Sequence, residues 1–272
     1  MGYLNISGGT IRGQYNEWGT SGGTAIIYQT GGTWAQGGPA VGGGGGVGVS
    51  TYTLTGGNLN ATASVGYGVF ERAWAIRGME DLLADAAAEP DAAEALFERV
   101  AEHQMQILEL VLELPVDGVR FSDDWSDQRG IMLGPDRWRT MLKPRVARLY
   151  GKAKSAGKFT LQHCCGNLSD VVPDLIEIGL DVLQSVQPEA MDVYKLKRDY
   201  GRDITFWGGV GSQSILPFGT PDQIRAEVRK LVTEMGRGGG YILGPAKSVL
   251  ADTPPANFAA LLESFLEYSG HA

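Results

Sequence analysis

The apolar and polar positions fall into two regimes. From about residue 70 onward, helical and strand periods alternate. Residues 91–113 carry Leu96, Val100, Ile107, Leu108 and Val111 on one helical stripe that Leu114 continues, and the short apolar run 116–121 that follows reads as a strand. A second helical stretch, 135–156, ends before Gly157, a residue that closes helices because it enters the left-handed region without a Cβ clash. It leads into a strand at 159–162. The alternation continues with a helix at 171–178, a strand at 181–186, a helix at 192–200 and a strand at 204–207. Another helix opens on Thr220-Pro221-Asp222-Gln223, in which Thr220 can cap, Pro221 suits the first turn and Gln223 can reach back to the cap amide. A strand at 241–243 and a helix at 255–268 complete the series.

Strict alternation predicts a parallel sheet covered by helices, an α/β fold. With no nucleotide-binding fingerprint, the five βα units point to the (β/α)8 TIM-barrel type. Five strands are too few to close it, so the barrel is expected to be incomplete. The other three strands come from the preceding segment, from another chain, or not at all. Gly238, Gly239 and Gly240 precede a strand rather than open a helix, which suits a helix-ending turn better than a phosphate loop.

Residues 1–68 follow different rules. They hold about half of the chain's 40 glycines and only two charged residues, Arg12 and Glu17. Alternating pieces at 24–28 and 51–55, set off by Gly-Gly pairs, predict short strands and turns. Leu4-Asn5-Ile6-Ser7-Gly8-Gly9 and Leu54-Thr55-Gly56-Gly57-Asn58-Leu59 read as copies of one unit, and the run Gly42 to Gly46 as a flexible linker. The repeats resemble the β-solenoid passenger segments of bacterial surface proteins. The organisation expected is thus a glycine-rich leader over 1–68, β-structured or disordered and without chemistry, and an α/β domain over 69–272.

A net charge of −8 and a pI near 5.0, with no basic run, argue against a nucleic-acid partner. No apolar stretch approaches the ~20 residues of a membrane span. A small molecule is the expected ligand. The two cysteines are adjacent and poorly placed to pair with each other, which fits a reducing cytoplasm. Unpaired sheet edges would suit a homo-oligomer.

The polar residues gather where strands end. Asp123-Asp124-Trp125, the turn Gln162-His163-Cys164-Cys165-Gly166-Asn167, Gln187-Pro188-Glu189, Trp207-Gly208-Gly209 and Lys247-Ser248 each follow a different strand, on the face where barrels build active sites. His163 and Cys165 have the donor types zinc prefers, and the strand period puts both on one side. Cys164 then points the other way, into the core. Asp123 and Asp124 are the candidate catalytic carboxylates; Gln187, Glu189 and Lys247 are the candidate substrate contacts. The plainer readings are a helix-capping aspartate, a loop lysine, and cysteines packed beside a hydrogen-bonded histidine.

Phe70-Glu71-Arg72-Ala73-Trp74, Gly78-Met79-Glu80, the Asp-Asp-Trp and His-Cys-Cys-Gly-Asn turns, Gln187 to Asp192, Phe206 to Gly209, Leu216 to Pro221 and Asp252 to Asn257 occur in one order. Together, over about residues 69–272, they resemble the uroporphyrinogen decarboxylase superfamily. The resemblance implies a TIM barrel and one of two chemistries: cofactor-free decarboxylation of a tetrapyrrole, or zinc-dependent methyl transfer between a corrinoid and a thiol. Decarboxylation ranks first on family grounds. However, the family's amino-terminal third, which carries its essential aspartate and arginines, is not matched. Methyl transfer follows on the His-x-Cys pair. Lys247 stands where the methyltransferases carry a third ligand, a cysteine, and where the decarboxylases carry a histidine; Glu189 or Asp124 could complete the zinc set instead. A truncated or fused remnant with only a structural role is the third reading.

Overall fold

The computed structural model describes residues 62–268 and, as backbone, four short strands before them. Of these four, β1 (Tyr3–Ile6) pairs in parallel with β2 (Ile26–Gln29), and β3 (Tyr52–Leu54) pairs antiparallel with β4 (Gly57–Leu59). The Gly42 to Gly46 linker and most of the leader lie outside the described residues; of the two repeat copies, Leu4 to Ile6 falls in β1, and Leu54 and Gly57 to Leu59 fall in β3 and β4.

The main sheet is parallel and six-stranded. Its strands are β5 (Thr62–Tyr67), β6 (Gly118–Ser122), β7 (Phe159–His163), β8 (Val182–Val186), β9 (Thr205–Val210) and β10 (Tyr241–Pro245), neighbours in space in chain order. The five expected strands are β6 to β10. The sixth, β5, comes from the end of the stretch grouped with the leader: its Ala63 and Val65 are buried, and it pairs with β6 from Thr62 opposite Gly118, with a register shift between Ser64 and Tyr67. Among the described residues β5 and β10 are not paired with each other, so the sheet is an open segment of a barrel.

Helices cover the outer face: α1 (Val69–Arg77), α2 (Met79–Ala88) and α3 (Pro90–Leu112), then a helical run of α4 (Pro135–Arg137), a π-turn (Trp138–Leu142) and α5 (Lys143–Ser155). After β7 come α6 (Val172–Glu177), α7 (Val193–Tyr200), α8 (Ile215–Phe218), α9 (Pro221–Glu234) and α10 (Pro255–Tyr268). Val100, Leu108 and Val111 of the expected stripe are buried on α3 together with Phe97, each contributing roughly 1.5–3 kcal/mol by leaving water, whereas Leu96 and Ile107 are partly buried and Leu114 lies exposed beyond the helix end. Arg145 of α5 reaches back to α3, donating to Glu98 at 3.1 Å and Glu94 at 3.3 Å. The π-turn sets Trp138 edge-on against Trp125, 5.3 Å between ring centroids, beneath the turn that follows β6.

Several of the ordered motifs have structural work. Thr220 and Gln223 form the expected capping box, and Asp192 caps α7 by accepting from the Lys195 amide at 2.8 Å. The Asn257 side-chain amide donates to the carbonyls of Leu216 and Gly219 at 2.9 and 2.8 Å, which joins the Leu216 to Pro221 motif to the Asp252 to Asn257 motif. Gly157 closes α5 at φ +71°, and Gly238, Gly239 and Gly240 all have positive φ in the turn after α9.

Two cores result from the strand period. Residues that point outward join the helices in a large core. On the inner face, Leu161, Val182, Trp207 and Ile242 form a separate small cluster, with His163 and Gln184 one step nearer the strand ends. The inner face is where the chemistry lies.

Candidate active site

The turns after β6, β7 and β10 bring four side chains together. Asp124 Oδ1 accepts from the Cys165 backbone N–H at 2.8 Å and lies 3.8 Å from His163 Nε2. Cys165 Sγ is 3.6 Å from the same ring nitrogen, and the ligating atoms of Asp124, His163 and Cys165 all lie within 4.8 Å of one another. Lys247 Nζ donates to Cys165 Sγ at 3.2 Å. Its backbone is held in place, because its N–H donates to Ser212 Oγ at 2.8 Å and the hydroxyl donates to its carbonyl at 3.2 Å.

The local sequence explains the convergence. His163 and Cys165, two apart, face inward. Cys164 between them is fully buried on the other side, where its sulfur accepts from the Trp125 N–H at 3.2 Å. Gly166 makes the turn possible at φ +87°: a Cβ there would stand 2.7 Å from the Ser126 carbonyl oxygen and press on that of Asp127.

Burial and charge set the protonation states. His163 is held well below the usual imidazole range, first by burial and then by the Arg120 and Lys247 charges, with Gln184 opposing. The Cys165 thiol is pushed up by burial and by Asp124, partly offset by Lys247. Burial works against the Lys247 charge, yet Cys165, Asp124 and Glu71 outweigh it and raise its pKa. Glu71 of α1 joins the group as well. Burial, then Asp123 and Asp124, lift its pKa to about 7, and its Oε2 is buried without a hydrogen-bond partner.

Asp123 has a different place from its neighbour. Its Oδ2 accepts from the Phe70 N–H at 3.0 Å and the Trp125 indole at 2.7 Å, and its Oδ1 from the Glu71 N–H at 2.8 Å. This carboxylate caps α1 across the fold, behind the donor cluster. Gln187 and Glu189 also hold loops. Gln187 Oε1 accepts from the Gly166 N–H at 3.2 Å, which steadies the Cys165 turn, while Glu189 Oε1 accepts from the Gln213 N–H at 3.0 Å and the Ser214 hydroxyl at 2.7 Å. Glu71, Arg120 and Gln184 stand outside the strand-end turns that mark the candidate site in the sequence. A charged Arg120 at an inward position of an otherwise apolar strand was the available signal for one of them; Glu71 was visible only as part of a family motif.

The donor set suits a metal. Around a tetrahedral zinc ion, bonds of about 2.0–2.3 Å put neighbouring ligand atoms roughly 3.4–3.6 Å apart. The 3.6 and 3.8 Å separations from His163 Nε2 come close to this, and the neutral imidazole is the ligating form. Three donors of nitrogen, sulfur and oxygen type therefore fit, with a lysine ammonium beside the sulfur. No helix of the described residues is long and apolar enough to cross a membrane.

Known proteins resemble this chain in sequence and in fold. The chain is 27% identical over 137 residues to the methylcobamide:CoM methyltransferase MtaA of Methanosarcina barkeri, covering 50% of this chain and 38% of that protein. It is 21% identical over 188 residues to the uroporphyrinogen decarboxylase of Chlorobium phaeobacteroides, covering 66% of this chain and 50% of that one. The chain thus spans half or less of the length of these relatives. A solved methyltransferase from Methanosarcina mazei shares the fold with a TM-score of 0.62 and 24% identity, over 77% of this chain and 59% of that one. Residues 68–268 match the family described as uroporphyrinogen decarboxylase (URO-D), and to that family this chain belongs.

Proposed function

We propose that the chain carries the catalytic face of a small-molecule enzyme, and that its chemistry is activation of a thiol for methyl transfer at a metal held by Asp124, His163 and Cys165. The observation that carries this reading is the set of three different donors within 4.8 Å at the strand ends. Zinc bound there would lower a thiol's pKa and hold it as thiolate, the nucleophile that takes a methyl group from a corrinoid. The chain's own residues do the positioning. The Cys165 amide aims Asp124 into the cluster, and Gln187 fixes the turn through Gly166. Burial keeps His163 neutral, and Glu71 retains a proton to near neutrality because burial, and then the Asp123 and Asp124 charges beside it, disfavour its carboxylate. Lys247 at the exposed mouth supplies positive charge for an anionic thiol or carboxylate.

One observation favours a second reading, tetrapyrrole decarboxylation. Glu71 and Asp124 stand close enough to Lys247 to shift its pKa, and this pairs carboxylates that could stabilise a protonated pyrrole with a cation that could grip an acetate arm. Metal content separates the two. Gel-filtered protein is expected to hold about one zinc per chain, lost in His163→Ala, and to move a methyl group from methylcobalamin to a thiol. Absence of zinc together with carbon dioxide release from uroporphyrinogen would reverse the choice.

A further inference from the structure

Lys247 differs in kind from the three donors it joins. Its ammonium lies 3.2 Å from Cys165 Sγ, the sulfur that also stands 3.6 Å from His163 Nε2. Asp124 is among the donors, Glu71 acts on the ammonium, and Arg120 places a second positive charge on the His163 side of the cluster. Lys247 is thus the cation in hydrogen-bond contact with the Cys165 sulfur. Its backbone is pinned by Ser212 and the residue as a whole is exposed at the mouth of the site, although burial opposes the charge at the ammonium, so the side chain can swing toward solvent without disturbing the fold.

We infer that Lys247 is a built-in cation that competes with a metal ion for the Asp124, His163 and Cys165 cluster, and so sets how tightly this protein holds its metal. The inference rests on the metal reading above. A divalent ion at the three donors would stand within a few ångströms of the ammonium. Either the two charges repel, or the side chain swings out and gives up its hydrogen bond to Cys165. Metal affinity is weakened in both cases. At about 4 Å, repulsion between a divalent ion and one positive charge corresponds to about a tenfold or larger effect on affinity even in a water-like dielectric. Once displaced, Lys247 stays at the rim, where it favours an anionic ligand over a neutral one.

Zinc titration of the full chain against a chromophoric chelator, for wild type, Lys247→Leu, Lys247→Ala, Lys247→Arg and His163→Ala, tests this. Far-UV circular dichroism melts would show that each variant is folded. Lys247→Leu and Lys247→Ala are expected to bind zinc at least tenfold more tightly than wild type, and Lys247→Arg, which keeps the charge, no more tightly. If the wild type binds zinc through His163 and the two neutral variants bind equally or less tightly, the competition is refuted while the metal site stands. If the neutral variants bind zinc and the wild type does not, the competition holds and the wild type's proposed zinc chemistry fails. If none binds zinc, both readings fall.

Discussion

Replacing Asp123 with alanine gives the most direct test of how the site is held up. α1 starts after Gly68, which has no side chain to cap it, so Asp123 meets two of the helix's free N–H groups from the neighbouring turn, together with the Trp125 indole. Loss of a cap costs about 0.5–2 kcal/mol. Leaving a buried indole N–H unmet adds about 1–3 kcal/mol. The total is about 1.5–5 kcal/mol. Burial, opposed by these three hydrogen bonds, raises its pKa from 3.8 to about 6, so the native state keeps a proton that the unfolded chain releases. Stability from this group is therefore fully present below pH 3.8 and is lost as pH rises through about 6, a change on the order of 3 kcal/mol. Urea unfolding followed by circular dichroism at pH 4.5, 6 and 8 would show the deficit of Asp123→Ala largest at pH 4.5 and smaller at pH 8, with similar m-values. A deficit under about 0.5 kcal/mol at every pH, within the range usual for surface substitutions, would refute the capping role. A deficit that grows with pH would refute the sign.

Glu71 should behave in the same direction for a different reason. Burial and two neighbouring carboxylates raise its pKa from 4.5 to about 7, so its stabilising contribution is present below pH 4.5 and is lost as pH passes 7. In chelator-treated protein, Glu71→Gln is expected to raise the urea midpoint at pH 8, corresponding to up to about 3 kcal/mol of unfolding free energy, and to bring it back toward wild type at pH 4.5. Equal midpoints at both pH values would show that Glu71 is well solvated. Gly166→Ala strains a left-handed position and crowds the Ser126 and Asp127 carbonyls, so it should lower the melting temperature by several degrees and reduce zinc binding. An unchanged melt would mean that the turn can relax.

Local pattern was enough to read five strands, the helices between them and the Thr220 capping box, because apolar spacing and cap chemistry are properties of neighbouring residues. It also showed that His163 and Cys165 share a side and that Cys164 does not, since the strand period alone decides this. Contacts made across the fold were not legible. β5 sits among glycines and shows itself as a strand only by pairing with β6. Asp123 and Asp124 are adjacent and chemically alike, yet one caps α1 while the other faces the donor cluster, because the Phe70 and Glu71 amides reach the first and the Cys165 amide the second. The distance from Lys247 to Cys165 spans 82 positions of sequence, and only the order of strands in the sheet brings the two together. The sequence by itself determined the fold class, the family and the donor types. The tertiary structure decided which donors meet, because a hydrogen bond or a metal site depends on separations of a few ångströms that strand packing sets and residue order does not.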